Sequence, residues 1–214
     1  MKVLAFNGSP RENSTTAALL NKALEGAASQ GAETELVHLN KLTMKGCQSC
    51  YSCKIRGGES YGKCVLKDDI TPLYQKIEQA DALFLGSPIY FGSITGQAKL
   101  FMDRLFPYLT YKNYSSLFPK KIPVGLIYTM NADDKISKMY DQHMRINERI
   151  FSMLFGSVET LASTDAFHVE DYTKIVGDAV EAVVERKQKH RQEVFPLDCE
   201  KAFDMGAKFA RVSQ

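Results

Sequence analysis

Apolar positions in this chain fall into short unbroken runs separated by longer periodic stretches. The runs Val3 to Phe6, Ala82 to Ser87 and Ile122 to Met130 predict strands covered on both faces. A further strand is predicted over 33–39, where Thr34, Leu36 and His38 alternate with Glu35, Val37 and Leu39, and a last one over 160–167. Between them the spacing turns helical. The first helix is predicted over 16–30, with Ala17, Leu20, Leu24 and Ala27/Ala28 on one face and Gly31 as its stop. The next covers 70–80, through Ile70, Leu73, Ile77 and Ala80, opened by Asp68-Asp69. Others are predicted over 97–106, 136–155 and 172–192, with a helical tail over 198–212. Strands alternating with helices predict a doubly wound parallel α/β sheet with right-handed crossovers. There is no internal repeat and no linker, so residues 1–214 read as one domain. The pattern lapses at about 44–67, a cysteine-rich excursion.

Composition narrows the function. A formal charge of +2 over 214 residues implies no field for nucleic acid. No window is long and apolar enough for a membrane span, and the first apolar run is too short for a signal peptide and breaks at Asn7-Gly8. Five cysteines, four of them crowded together, suit a reducing, cytoplasmic setting.

The loop after the first strand carries the clearest chemistry. Gly8, Ser9, Arg11, Asn13, Ser14, Thr15 and Thr16 stand between a buried strand and a helix start, where outward amides make an anion site. The three glycines of a dinucleotide loop and the Gly-Lys-Ser/Thr ending of a P-loop are both absent. Four hydroxyls and an arginine suit a terminal phosphate monoester. The alternative is an ordinary Ser/Thr cap beside a solvated arginine, but a cap needs one such residue rather than four. Ligands of such a sheet bind beyond the carboxyl ends of its strands. The loop Gly86 to Ile94 belongs there too: Pro88, Ile89, Tyr90, Phe91 and Gly92 offer apolar faces and backbone amides to a planar ring. Two aromatics packed in the core are the competing reading. A third loop, Tyr128-Thr129-Met130-Asn131, carries a weak motif.

Gly8-Ser9-Pro10-Arg11 with Asn13-Ser14-Thr15 resembles the phosphate loop of the flavodoxin-like NAD(P)H-dependent FMN reductase and quinone reductase superfamily, of which iron–sulfur flavoproteins are one branch. The likeness extends from Met1 to about Met130. It implies a flavodoxin-like five-stranded sheet of order 2-1-3-4-5 and bound FMN. The phosphate would rest on Ser9, Arg11, Ser14, Thr15 and Thr16, the ring against Pro88 to Gly92, and Thr129, Met130 and Asn131 on the ring's other side. Gln97, Lys99, Phe101, Asp103 and Arg104 resemble the family's downstream helix, with Asp103-Arg104 as a structural pair near a subunit contact. It further implies NAD(P)H as co-substrate, a quinone, flavin or metal ion as acceptor, and a homodimer or homotetramer, for which Phe106-Pro107-Tyr108 and Tyr111 to Phe118 are the contact residues. The flavin carries the chemistry, so no catalytic side chain is assigned. A flavodoxin-type electron carrier and a non-catalytic binding protein are the other classes open to this fold.

The excursion reads Cys47-x₂-Cys50-x₂-Cys53, then ten residues, then Cys64. Three thiols at that spacing can surround a cluster with a fourth closing it; a Cys₄ zinc site, redox thiols or plain buried cysteines are the alternatives. The segment resembles the [4Fe–4S] motif of iron–sulfur flavoproteins, with a longer gap before Cys64. That resemblance implies a single-electron relay to a ferredoxin-type partner. Cys199 and His38 receive no role. Arg145, Glu148 and Arg149 read as a solvated helix face and Lys187 to Arg191 as a short basic cluster; His143 could line the site, but a lone histidine is more often at the surface.

Overall fold

A computed structural model of the chain describes residues 1–169, 171–177 and 180–212. β1 (Lys2–Asn7) pairs on one side with β2 (Glu33–His38) and on the other with β3 (Ala82–Tyr90). β3 carries the short antiparallel β4 (Ser93–Ile94) at its end. β5 (Val124–Thr129) and β6 (Val158–Ser163) complete the parallel sheet, in the order β2-β1-β3-β5-β6. Without the hairpin strand β4 this is the expected order 2-1-3-4-5. The helices are α1 (Thr15–Ala28), α2 (Thr71–Gln79), α3 (Gly96–Asp103), α4 (Asp134–Ser137), α5 (Asp141–Phe155), α6 (Val180–Glu193) and α7 (Phe195–Val212).

Successive side chains of a strand point to opposite faces, and the core divides accordingly. Leu4, Phe6, Leu83, Leu85, Val124 and Leu126 join Ile77, Phe101 and Phe151 of α2, α3 and α5 in one cluster. Val3, Ala5, Phe84 and Ile127 join Leu20 of α1 and Phe209 of α7 in the other. The apolar runs of β1, β3 and β5 are continuous because both faces are covered. At the edge, β2 keeps an exposed Glu33 and Glu35.

Several boundaries depart from the periodicity. The helix expected over 136–155 is two, α4 and α5, separated by a 3-10 turn at Lys138–Tyr140. α4 starts early because the Asp133 side chain accepts the Ile136 N–H at 2.9 Å. α3 stops at Asp103, and Phe106–Tyr108 is a 3-10 turn that contains Pro107. The last strand lies over 158–163 rather than 160–167, because its partner β5 ends at Thr129, opposite Ser163. The helix expected over 172–192 is a 3-10 turn at Tyr172–Lys174 followed by α6; residues 178–179 of that span lie outside the described residues. Among the described residues no helix is long and apolar enough to cross a membrane.

Candidate functional site

The first loop is shaped by Asn7, the fully buried last residue of β1. Its Oδ1 accepts the Ser9 N–H at 2.9 Å, and its Nδ2 stands 3.0 Å from His38 Nδ1 and 3.5 Å from the Arg11 carbonyl. Ser9 Oγ accepts the Arg11 N–H at 3.2 Å. Gly8 matters here for close approach. Its N–H reaches Gly86 O at 2.7 Å, its carbonyl takes the Thr95 hydroxyl at 2.6 Å, and a Cβ would stand 2.8 Å from Ala98 Cβ. Thr95 also caps α3 by accepting the Ala98 N–H, and Ser14 caps α1 by accepting the Ala17 N–H at 3.1 Å. The Thr95 proton goes to Gly8, whereas the Ser14 hydroxyl keeps its own proton to donate.

The expected phosphate residues therefore divide. Arg11 and Asn13 are exposed, Ser14 and Thr15 half-buried, and Ser9 buried with its oxygen turned into the loop. Thr16 departs from the expectation: it is buried, and its Oγ1 lies 2.7 Å from Thr129 Oγ1, so these two hydroxyls satisfy one another inside the protein. The reason is register. Thr16 occupies the core-facing position of the first helical turn, above Gly86.

The second loop is a β-hairpin rather than a loop past the strand end. Pro88, Ile89 and Tyr90 are the last residues of β3, and Phe91 and Gly92 form the turn with φ of 49° and 81°. Two successive positive φ values mark the type I′ geometry that suits hairpin twist. Tyr90 is half exposed and Phe91 wholly exposed, so neither is packed in the core. His143 holds the base of this hairpin. Its Nε2 accepts the Ile94 N–H at 3.2 Å and lies 3.1 Å from Asn147 Nδ2, which donates to the Tyr128 hydroxyl at 3.2 Å. Burial pushes the imidazole below its ordinary value, which favours the neutral form that can accept. Burial also pushes the Tyr128 phenol up to about 12. His143 is thus a half-buried anchor rather than a surface histidine.

In the third loop Thr129 and Met130 are buried and Asn131 is exposed. The Asn131 carbonyl takes a 2.8 Å hydrogen bond from Lys187 Nζ. Lys187 is 1% exposed and pairs with Asp165 at 3.3 Å, so the basic cluster over 187–191 turns its first residue into the core.

The cysteine excursion sits at the far end of α3. Asp103 pairs on the surface with Lys99, while Arg104 turns inward and is fully buried; they are not a pair. The Arg104 fork meets Asp68 at 2.5 and 3.2 Å and donates to the carbonyls of Lys45 (2.8 Å) and Leu66 (3.4 Å). One guanidinium therefore staples both ends of the excursion. Burial works against ionising Asp68, and Arg104 overcomes it, holding the carboxyl below its usual range. Cys47, Cys50, Cys53 and Cys64 line one small cavity of about 20 Å³ with Tyr51, Arg104 and Pro107, room for about one water. Burial pushes the Cys53 thiol up, whereas hydrogen bonding by Ser52 lowers that of exposed Cys50. Among the described residues no group of three or more His, Cys, Asp or Glu side chains stands at metal-ligand spacing. The four thiols converge without being set for a metal. Of the aromatics expected at a subunit contact, Tyr108 and Phe118 are core residues, whereas Tyr111 and Tyr114 are exposed.

Comparison with known proteins agrees with this geometry. The profile of the NADPH-dependent FMN reductase family matches residues 1–146. An iron–sulfur flavoprotein of Methanocaldococcus jannaschii is 39% identical over 107 residues, which cover 50% of this chain and 53% of that protein. One from Archaeoglobus fulgidus is 35% identical over 108 residues, 50% of this chain and 47% of that protein. The match thus spans about half the length of these relatives. Among solved structures, an NAD(P)H:quinone oxidoreductase from Methanothermobacter marburgensis superposes with a TM-score of 0.69 at 16% identity, covering 97% of this chain and 96% of that one. An azoreductase from Bacillus anthracis gives 0.67 at 12% identity, covering 98% and 100%. At these identities the structural matches speak for the flavodoxin-like fold. With a family match across more than half its length, the chain belongs to the NADPH-dependent FMN reductase family.

Proposed function

We propose that the chain binds FMN and acts as an NAD(P)H-dependent oxidoreductase with a quinone, flavin or similar acceptor. The observation that carries this is the placement of the 8–16 loop and the Phe91-Gly92 hairpin, joined through Thr95 and Gly86 at the carboxyl end of the sheet. Arg11, Asn13, Ser14, Thr15 and the free amides of the first turn of α1 are the donors for the phosphate. Thr16 and Thr129 support the site from inside. Pro88, Ile89, Tyr90, Phe91, Gly92, Met130 and Asn131 frame the ring. FMN held there would supply the redox chemistry between the nicotinamide nucleotide and the acceptor. The residues bind and orient, and Tyr90 and Phe91 supply apolar surface to exclude water.

The test is reconstitution with FMN, followed by oxidation of NADH and NADPH with a quinone acceptor. Retained FMN and turnover without any partner protein support the enzyme. FMN retained without direct nicotinamide oxidation indicates an electron carrier, and protein that takes up no FMN overturns the reading.

A second reading rests on the convergence of all four cysteines on one cavity, together with relatives named iron–sulfur flavoproteins. In it Cys47, Cys50, Cys53 and Cys64 hold a [4Fe–4S] cluster, the 47–64 segment closing round it, and a ferredoxin-type protein is the redox partner. Anaerobic protein with about four irons per chain supports it; iron-free protein overturns it. A cytoplasmic homodimer or homotetramer completes the proposal, with Tyr111 and Tyr114 as surface to be covered.

A further inference from the structure

The segment after β6 touches two parts of the site and contains a costly arrangement. Asp165 is a non-glycine residue at φ 47°, is 6% exposed, and takes three donors on a single oxygen. These are Arg186 Nε at 3.1 Å, an Arg186 terminal nitrogen at 2.8 Å and Lys187 Nζ at 3.3 Å. Backbone strain and buried charge persist together only where the surroundings over-determine them. Here they do. The Asp165 N–H donates to Ala132 O at 2.8 Å, and the Ala166 N–H to Met130 O at 3.0 Å. Lys187 bridges from Asp165 to the Asn131 carbonyl. A strap over 164–168 is thus fastened to the third loop by its backbone and to α6 by two cations.

Its other end reaches the phosphate loop. The His168 carbonyl accepts an Arg11 terminal N–H at 2.6 Å, across 157 positions of sequence. His168 is steadied in turn by its own Nδ1, 2.9 Å from Ala166 O, and by Tyr172, whose hydroxyl accepts the His168 N–H at 3.4 Å. Arg11 is the sole cation among residues 8–16. Guanidinium donors form a rigid fork, so fixing one N–H directs the others and reduces the rotamer freedom that binding an anion must otherwise remove.

We propose that Asp165 and Lys187 are positioning residues for the flavin phosphate: they fasten the strap whose His168 carbonyl orients Arg11. This rests on the reading of the 8–16 loop as the FMN phosphate site. It makes a specific demand. The effect must pass through the phosphate, so it must appear with FMN and be nearly absent with riboflavin, which lacks that group.

The experiment titrates full-length wild type, Asp165→Asn, Lys187→Met and Arg11→Ala with FMN and with riboflavin, following flavin fluorescence. Asparagine tolerates left-handed backbone, so Asp165→Asn removes the charge without forcing the strap open. Lys187→Met keeps the aliphatic stem and gives a second route if the first variant melts early. Each is expected to weaken FMN about tenfold, the scale of one charge-assisted hydrogen bond, with riboflavin changed less than about twofold. In the Arg11→Ala background, Asp165→Asn should add nothing further. Equal weakening of both flavins, or a full additional loss without Arg11, overturns the inference while leaving the FMN reading intact. Wild type that binds neither flavin overturns both.

Discussion

The two ends of α3 are built on different principles. At its start, Thr95 joins β3, the 8–16 loop and the helix through mostly backbone groups: its hydroxyl meets the Gly8 carbonyl and the Ala98 N–H, and its own N–H donates to Ser87 Oγ at 3.0 Å. Every component there follows from regular strand, turn and helix geometry. At its end, an irregular segment with only a 3-10 turn at Ser52–Lys54 is held by one fully buried arginine. Lys54 assists, its ammonium donating to the carbonyls of Phe106 at 2.6 Å and Leu109 and lying over the Phe106 ring. The contrast separates two kinds of dependence. A backbone-built loop spreads its support over many small interactions, whereas the excursion concentrates it in one ion pair.

The sharpest way to break the contrast is Arg104→Met. Breaking a buried ion pair leaves Asp68 uncompensated, at a cost of about 3–5 kcal/mol. Urea denaturation should register that loss, and limited proteolysis should cut first within 44–67. Equal resistance of that segment in variant and wild type would mean that other contacts hold it. Next is Gly8→Ala. Its Cβ meets Ala98 Cβ at 2.8 Å and Gly86 O at 2.9 Å, so overpacking should cost about 1–3 kcal/mol, with FMN retention falling in parallel. An alanine accepted without loss would show that the loop can give way.

The smallest effect concerns the hairpin. The folded-state pKa of His143 is depressed by burial, so the unfolded chain takes up the proton first. Its contribution to stability is complete above the ordinary imidazole value of about 6.5 and is lost as the pH falls below it. His143→Gln, which can still accept the Ile94 N–H, should remove an acid-side Tm drop of about 2 °C in wild type. An unchanged slope would clear His143 of that role.

Much of this was legible in the chain itself, and the reason is locality. β1, the 8–16 loop and α1 are written by consecutive residues, as are the unbroken runs of β3 and β5. The cysteine spacing was visible, and so was the chemistry it suggests. What escaped was carried by side chains whose partners are remote. His143 meets Ile94 across 49 positions, Lys187 meets Asn131 across 56, and Arg104 meets Asp68 across 36. The sequence gives the chemistry of each but not its partner, because a polar residue among polar neighbours carries no sign of which remote group it turns toward. Thr16 is the opposite case: its hydroxyl fits the pattern of the loop, but helical register turns it toward Thr129.

The sequence by itself determined the doubly wound sheet and the order of its strands, loops and helices, because strand period, helix period and turn chemistry are local properties of the backbone. The tertiary structure alone decided which hydroxyls face the loop, which charges are buried, and how the strap over 164–168 joins Arg11 to Lys187. Those outcomes depend on which distant side chains share a space from which water is excluded, and that is settled only when the sheet and its helices pack.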